Sequence, residues 1–584
     1  MSAVNVITPP AVDREKDTGE RAKREAMEVA EAARETEWRH PSFGAELFAG
    51  RFRPDLILPF PAQPEEDRRR GDEYLARVEA FLREKVDPDE IDRTGLLPPE
   101  VVRGLIDLGC FGMKIPKEYG GLGFSQTNYN RTVQLIGSHC GSTAVWISAH
   151  QSIGVPQPLK LFGTEEQKRK FLPRLAKGEI SAFALTEPGV GSDPANMETT
   201  AAPTPDGEAY ILSGDKLWCT NGCVADVMVV MARTPSVVVN GRERKQVTAF
   251  IVEKSMPGVE VVHRCDFMGI RAIQNGLLRF KGVRVPKENV IWGPGLGLKL
   301  ALVTLNTGRL TVPAACTGMA KRCLNVVRKW AAERKQWGGP IGRHDAVAAK
   351  IADLASGAFA MDSVTWLTAG LADRGGADIR LEAAMAKLFC SEMAWKIADD
   401  TLQIRGGRGY ETARSLRARG EEGIPVERML RDCRINRIIE GTSEIMRLFI
   451  AREALDWHLR AAGALLDPRT PLKGKLQAGL KAAGIYARWY PRQWLYLTVG
   501  KHAAAAGRLA RHFRFIERAS HRLARSIFHL MVVHQAGLEK RQQLLARVVD
   551  IGVDLFAMAA ACAHARHLAQ AAPAESSALD LADH

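Results

Sequence analysis

Between Glu179 and Trp292 the apolar residues alternate or run together in short stretches, whereas on both sides they recur three and four apart. This double change of period excludes an all-helical chain and an all-β one. The segments SAFALTE, EAYILSGDKLWCTNG, VMVVMART, QVTAFIVEK, VEVVHR and LLRFKGVRVP, separated by Pro, Gly, Asp and Asn, predict an antiparallel β domain. Before it, YLARVEAFLREKV, PPEVVRGLIDLG and TEEQKRKFLPRLAKG predict helices, with Pro98 and Thr164 at their starts. After it the helical period runs in long segments to the end of the chain. The expected fold class is α+β and mainly helical. Its expected parts are an N-terminal extension (1–66), an α-helical domain (67–178), the β domain (179–295), a C-terminal helical bundle (296–462) and an extra basic helical domain (463–584). Within the extension, the Phe, Leu and Pro of FGAELFAGRFRPDLILPFPAQP suit a segment that lies against a folded body.

A chain of 584 residues is too long for one core. Its longest apolar stretches fall short of a membrane span. Acidic residues at Asp13, Glu15, Asp17, Glu20 and Glu25 argue against an organelle leader, and no secretory core is present, so a cytoplasmic protein is expected. Ten scattered cysteines form no framework, and the close pair Cys219 and Cys223 lacks partners for zinc, so no metal is expected. The net charge of +14 is unevenly spread: from Pro471 to Asp550 only Glu517, Glu539 and Asp550 oppose a long series of Lys and Arg. That block invites a polyanion (CoA phosphates, an anionic membrane or nucleic acid) or is simply a solvated helix face.

Five polar or Gly-rich elements carry the candidate chemistry. In RDCRINRIIEGTSEIMR, Glu440 follows Ile435, Ile438 and Ile439, which can strip water from a carboxylate and raise its affinity for a proton. Gly441 permits close approach, and Thr442 or Ser443 can cap the helix that follows. On these residues alone Glu440 reads better as an acid favoured at a helix N-terminus. LTEPGVGSD offers Thr186 and Ser192 around Gly189 and Gly191, a turn able to hold a pyrophosphate or a heterocycle edge, or an ordinary hairpin loop. In KLWCTNG, Trp218 can stack on a ring system or pack in a core, and Thr220 can hydrogen-bond. ERKQWGGPI offers Arg334 to a phosphate and Trp337 to an aromatic base; QIRGGRGY is a second Gly-rich break. None follows the strand, glycine turn, helix grammar of a dinucleotide fold.

In this order and spacing the elements resemble the acyl-CoA dehydrogenase family, with TEPGVGSD as its first signature and Q-x-x-G-G-x-G-Y leading to R-D-x-x-I as its second. SFGAELFAGRF, PFPAQPEE, AHQSIG, LNTGR and the late HQAGLEKRQQLLARVVDIGVDLFAMA extend the resemblance towards the very-long-chain branch. The resemblance implies an N-terminal helical domain, a central β domain and a four-helix bundle, with FAD as cofactor. It implies that Phe183, Leu185, Thr186 and Ser192 meet the flavin and pyrophosphate, and Trp218 and Thr220 the isoalloxazine. Arg334, Trp337, Gln403 and Gly407 are implied to reach the FAD of a neighbouring subunit in a homodimer, and Thr442 and Glu444 the adenosine half.

It further implies that Glu440 abstracts the α-proton of an acyl-CoA while a hydride leaves the β-carbon. Some branches place the base directly before the LNTGR arginine; here that place is Gly308, which cannot act. Ser192, Arg309 and Gly441 are implied on the substrate side. Ala144 and Ser148 match small residues flooring the acyl tunnel, with Trp146 between them either facing away or blocking. The implied activity is dehydrogenation of a long or very-long-chain acyl-CoA to the trans-2-enoyl-CoA, opening fatty-acid β-oxidation, with electrons passed to an electron-transfer flavoprotein. An acyl-CoA oxidase is the nearest alternative, and a nucleic-acid-binding or partner-binding role of the basic domain the more distant one. Peripheral membrane contact is the preferred reading of that domain. The 411–429 segment is longer than the usual family loop.

Overall fold

The computed structural model describes residues 40–239, 242–466, 471–495, 500 and 504–584; the first part of the expected extension, with its acidic residues, lies outside them. By internal contacts these residues form two compact units: 149–265 with 274–305, and 37–148 with 266–273 and 306–584.

The first unit is built on a seven-stranded sheet: β1 (Ser181–Ala184), β2 (Thr200–Pro203), β3 (Ala209–Cys219), β4 (Val227–Val239), β5 (Arg242–Glu253), β6 (Val259–Arg264) and β7 (Gly276–Pro286). The order is β1-β4-β2-β3-β7-β6, with β5 also paired to β4. The sheet is mainly antiparallel, as the alternating runs predict; β1 and β2 join β4 in parallel. The run Val227 to Ala232 is buried on both faces, which is why its sequence is continuous rather than alternating. Helix Glu165–Ala176 begins with a capping box of Thr164 and Gln167, and the Gln167 amide also donates to the Glu288 and Val290 carbonyls, each at 2.8 Å. That pins the helix to the end of the sheet's last strand.

The second unit is helical. The elements that matter below are α1 (Phe43–Phe48), α2 (Gln126–His139), α3 (Gly141–Ser148), α4 (Gly297–Glu333, from residue 306), α5 (Asp345–Arg374), α6 (Arg380–Arg405), α7 (Val426–Cys433), α8 (Ser443–Leu466), α9 (Leu472–Leu495), α10 (Ala510–His534) and α11 (Gln542–Ala571). One apolar core runs from α1 through α4, α5, α6 and α8 into α10 and α11. The segment from Phe43 to Phe60 lies against this body, as its composition predicts. Phe43 meets Phe556 at 6.2 Å between ring centres and Phe52 meets Phe513 at 5.5 Å. The Phe48 ring fills the space that a Cβ at Gly552 would need. Ser520 Oγ donates to Leu47 O (2.7 Å) and Trp489 Nε1 to Ala49 O (2.9 Å), so the backbone of the segment is satisfied by the C-terminal helices.

The 411–429 segment is folded too. It forms a short helix, Ala413–Ala418, and its charges pair closely: Arg408 with Glu421, Arg419 with Glu411, and both Arg417 and Arg428 with Asp89. No helix among the described residues is long and apolar enough to cross a membrane.

Candidate active site

In the helical unit the chain leaves α7, makes one 3-10 turn at Arg434–Arg437, and then takes two left-handed residues in succession, Glu440 (φ 55°) and Gly441 (φ 95°). Glycine adopts such a conformation freely; for glutamate it costs about 1–3 kcal/mol and needs surroundings that enforce it. Thr442 ends the turn by accepting the Ile445 N–H (3.2 Å), capping α8 as the sequence predicts. The effect is to aim the Glu440 side chain at α4. Its carboxylate lies against Gly308, where a Cβ would come within 2.4–2.5 Å of both oxygens. The glycine that rules out a base at position 308 is thus also what makes room for the Glu440 carboxylate.

Glu440 Oε2 is buried and has no hydrogen-bond partner among the described residues. Burial pushes its carboxyl up to about 7, with the charges of Lys387 and Arg309 pulling the other way. A buried polar atom left unpaired costs free energy, so it marks a site made for a ligand or a reaction rather than for stability. One expected wall is absent: Ile438 is 47% exposed, because the 3-10 turn rotates it outwards, so desolvation comes from the α4 contact instead.

Two buried cations accompany this carboxylate. Arg309 packs its guanidinium over the Phe449 ring at 4.9 Å and donates to Asn306 Oδ1 (2.9 Å); burial pushes it down to about 10. Lys387, on α6, is fully buried and donates to the Gly441 carbonyl at 2.7 Å; burial lowers it to about 8, against the charge of Glu440. The sequence reading missed Lys387. Its signal is a lysine inside the apolar run LEAAMAKLFC, a place where a charge needs a partner. At the start of α8 Ser443 Oγ donates to Glu392, whose other oxygen pairs with Arg437 at 2.9 Å, and Glu444 is exposed in the first turn. On α3, Ala144 and Trp146 are buried and Ser148 is half-buried.

In the sheet-containing unit, β1 carries buried Phe183 and runs into the Gly-rich turn. That turn is held by a buried ion pair: Lys216 Nζ donates to Glu187 Oε1 (2.7 Å) and to Leu185 O (3.1 Å). Glu187 also accepts the backbone N–H groups of Glu198 and Thr199, and these with Lys216 hold its carboxyl below the usual range against the effect of burial. Leu217 N donates to Thr186 O at 2.9 Å, so strand and turn are stitched on both sides. The open part of the turn is different. A Cβ at Gly189 or Gly191 would meet nothing within 4 Å, and Ser192 is exposed beside them. Nearby in sequence, Trp218 is left-handed (φ 54°) and 57% exposed, which excludes the core-packing reading. Thr220 Oγ1 accepts from Asn275 Nδ2 at 3.0 Å.

Back in the helical unit, Trp337 tops a two-residue hairpin turn with Gly338 and is 95% exposed. Trp330, one helical turn before Arg334, donates Nε1 to Ile404 O (3.1 Å) and so ties α4 to the Gly-rich break after Gln403. Arg334, Arg405 and Arg408 all lie within 5.8 Å of its ring centre. Gln403 and Gly407 are exposed at this break.

Family models describe the chain in three consecutive parts: acyl-CoA dehydrogenase N-terminal domain (71–179), middle domain (182–283) and C-terminal domain (295–455). The chain belongs to the acyl-CoA dehydrogenase family. It is 53% identical over 556 residues to a probable acyl-CoA dehydrogenase, FadE10, of Mycobacterium tuberculosis, covering 94% of this chain and 84% of that one. It is 35% identical over 521 residues to the human mitochondrial very long-chain specific acyl-CoA dehydrogenase, covering 88% and 77%. Among solved structures it is similar to an acyl-CoA dehydrogenase complexed with FAD from Bacillus anthracis, with a TM-score of 0.74, 28% identity, and coverage of 92% of this chain and 87% of that one.

This acyl-CoA dehydrogenase is therefore an FAD-dependent oxidoreductase. Its own residues fit that cofactor: the turn leaves open space beside Gly189 and Gly191, where a phosphate can approach the backbone, and the exposed left-handed Trp218 offers a flat apolar face to a heterocycle. The ion pair beneath the turn makes a prediction. Lys216→Met strands a buried carboxylate and should destabilise the protein by about 3–5 kcal/mol, with a lower ratio of FAD to protein. Adding Glu187→Leu should restore most of the stability. Urea unfolding and flavin absorbance measure both.

Proposed function

We propose that Glu440 is the general base that removes the α-proton of a long or very-long-chain acyl-CoA, giving the trans-2-enoyl-CoA in the first step of fatty-acid β-oxidation. The observation that carries this is the buried, unpaired carboxylate held against Gly308 and raised to about 7. A base poised near neutrality suits a weakly acidic carbon. The Glu440 N–H bonds no carbonyl among the described residues, so it is free to donate to the thioester oxygen and carry enolate-like charge. When bound, FAD supplies the acceptor for the hydride that leaves the β-carbon. Phe183, Leu185, Thr186, Ser192, Trp218 and Thr220 are assigned to the flavin end. Arg334, Trp337, Gln403 and Gly407 are assigned to a neighbouring subunit's cofactor in a homodimer, and Thr442 and Glu444 to the adenosine half. The nearly full exposure of Trp337 supports that assignment, since an indole this bare suits a surface completed by another body. Arg309 and Gly441 shape the substrate side with Ser192, and the small side chains of Ala144 and Ser148 leave room for methylenes. The domains divide at 66, 178, 295 and 462.

The electron acceptor is assigned to an electron-transfer flavoprotein rather than dioxygen. The basic C-terminal block is assigned to an anionic membrane surface. Helix α9 supports this: Leu472, Leu476, Leu480, Trp494 and Leu495 are each more than half exposed and recur at helical spacing. Lys473, Lys481, Arg488 and Arg492 are exposed on the same helix. Apolar side chains interleaved with bases fit a lipid interface better than a phosphate backbone alone.

Glu440→Gln should keep FAD and acyl-CoA binding yet slow anaerobic flavin reduction by palmitoyl-CoA by about 10²–10⁴-fold. Wild-type reduction should rise with pH through a midpoint near 7, because only the ionised carboxylate accepts a proton. Retained turnover in the variant moves the base elsewhere, and rapid reoxidation by air with peroxide release makes the protein an oxidase. For the C-terminal block, the purified protein should sediment with anionic but not neutral vesicles, and Leu476→Lys with Leu480→Lys should release it. Binding to duplex DNA without vesicle binding favours the nucleic-acid role, and a tetramer in light scattering means that a second copy covers the helix.

A further inference from the structure

Lys387 has no part in the assignments above, yet it is fully buried and bonded to the turn that carries Glu440. We propose that Lys387 is the positioning residue of the base: its ammonium fixes the left-handed Glu440–Gly441 turn through the Gly441 carbonyl and supplies the countercharge beside the Glu440 carboxylate.

Two left-handed residues in succession, one of them glutamate, persist only where the surroundings enforce them. Thr442 and Ser443 hold the far side of the turn, through the Ile445 N–H and Glu392. The near side is held by the 2.7 Å bond from Lys387 to the Gly441 carbonyl. Gly441 directly follows the residue whose carboxylate lies against Gly308, so the bond fixes the chain beside the base.

A fully buried ammonium whose bonded acceptor is a neutral carbonyl is expensive unless a negative charge lies close. Glu440 is the largest charge acting on it. The charged and titratable groups facing this pair can be named. Arg309 comes from α4 and acts on both. Cys316, also on α4, and Glu392, on α6, act on Lys387. Glu392 is itself engaged by Ser443 and Arg437. Arg309 is anchored apart, on Asn306 and the Phe449 ring. Lys387 alone among these cations touches the backbone of the turn, so it couples where the carboxylate points to how readily it ionises.

The inference rests on Glu440 being the base, and the test separates the two. Lys387→Met, Lys387→Gln and Lys387→Arg are prepared in the full-length, FAD-loaded enzyme, beside Glu440→Gln. Two readouts follow pH: anaerobic flavin reduction by palmitoyl-CoA, and the carboxyl-carbon NMR signal of Glu440, identified as the one missing in Glu440→Gln. Loss of the positive charge in Lys387→Met should move both midpoints up by about one to three pH units. At pH 7, where the wild-type base is half ionised, that slows reduction by about 5- to 500-fold, recovered at higher pH, with KM little changed. Lys387→Gln keeps a donor for the Gly441 carbonyl without the charge; its midpoint should rise equally while its rate plateau stays above that of Lys387→Met. Lys387→Arg should keep the midpoint near the wild-type value and provides the comparison if the neutral variants fold poorly. Unchanged midpoints in the neutral variants overturn the proposal. Flavin reduction that survives Glu440→Gln overturns the base assignment instead, and the NMR titration still reports on Lys387.

Discussion

The site hangs on one contact: a carboxylate seated against a glycine. Gly308 offers no side chain, so the Glu440 oxygens can lie where a Cβ would stand, with Oε2 buried and unpaired among the described residues. Everything around the contact serves that placement. The backbone turns left-handed at two successive residues, a buried lysine binds the turn's carbonyl, and a threonine caps the helix beyond it. The left-handed turn and the buried lysine cost free energy locally, which the cap and the large shared core of the helical unit offset. The result is a carboxyl that burial pushes up to about 7, out of the usual carboxylate range.

The same economy of charge recurs in the sheet-containing unit. Lys216 and Glu187 are buried together beneath the glycine turn, and they fix its stem while Gly189 and Gly191 remain open. A rigid stem with an open rim is what a cofactor-binding turn needs, because ordering the loop beforehand lowers the entropy lost on binding.

Much of this was legible in the residues. The change of period placed the sheet between helices, since alternation and three-four spacing report directly which side chains share a face. The helix starts at Thr164 and Thr442 follow from side chains that satisfy free N–H groups, and the Phe-rich segment before residue 61 could only bury its rings against a body, which it does. What stayed hidden depends on tertiary contact. The parallel pairing of β1 and β2 with β4 is set by crossover, not by pattern. Ile438 looked like a wall of the site, but the turn preceding Glu440 rotates it into solvent. Lys387 is signalled only by the apolar run around it, and which group it meets, like the pairing of Lys216 with Glu187, is set by tertiary contact. In the sequence Gly308 stands out for the acid it lacks; that it seats the Glu440 carboxylate is visible only in three dimensions.

The account stands or falls on proton transfer from the acyl α-carbon to Glu440. The most direct measurement is deuterium uptake at that carbon when the FAD-loaded protein and an acyl-CoA are held together in D2O without an electron acceptor. The wild-type protein should wash deuterium into the α-position of recovered acyl-CoA, and Glu440→Gln should not. Equal uptake by the two would show that another group takes the proton.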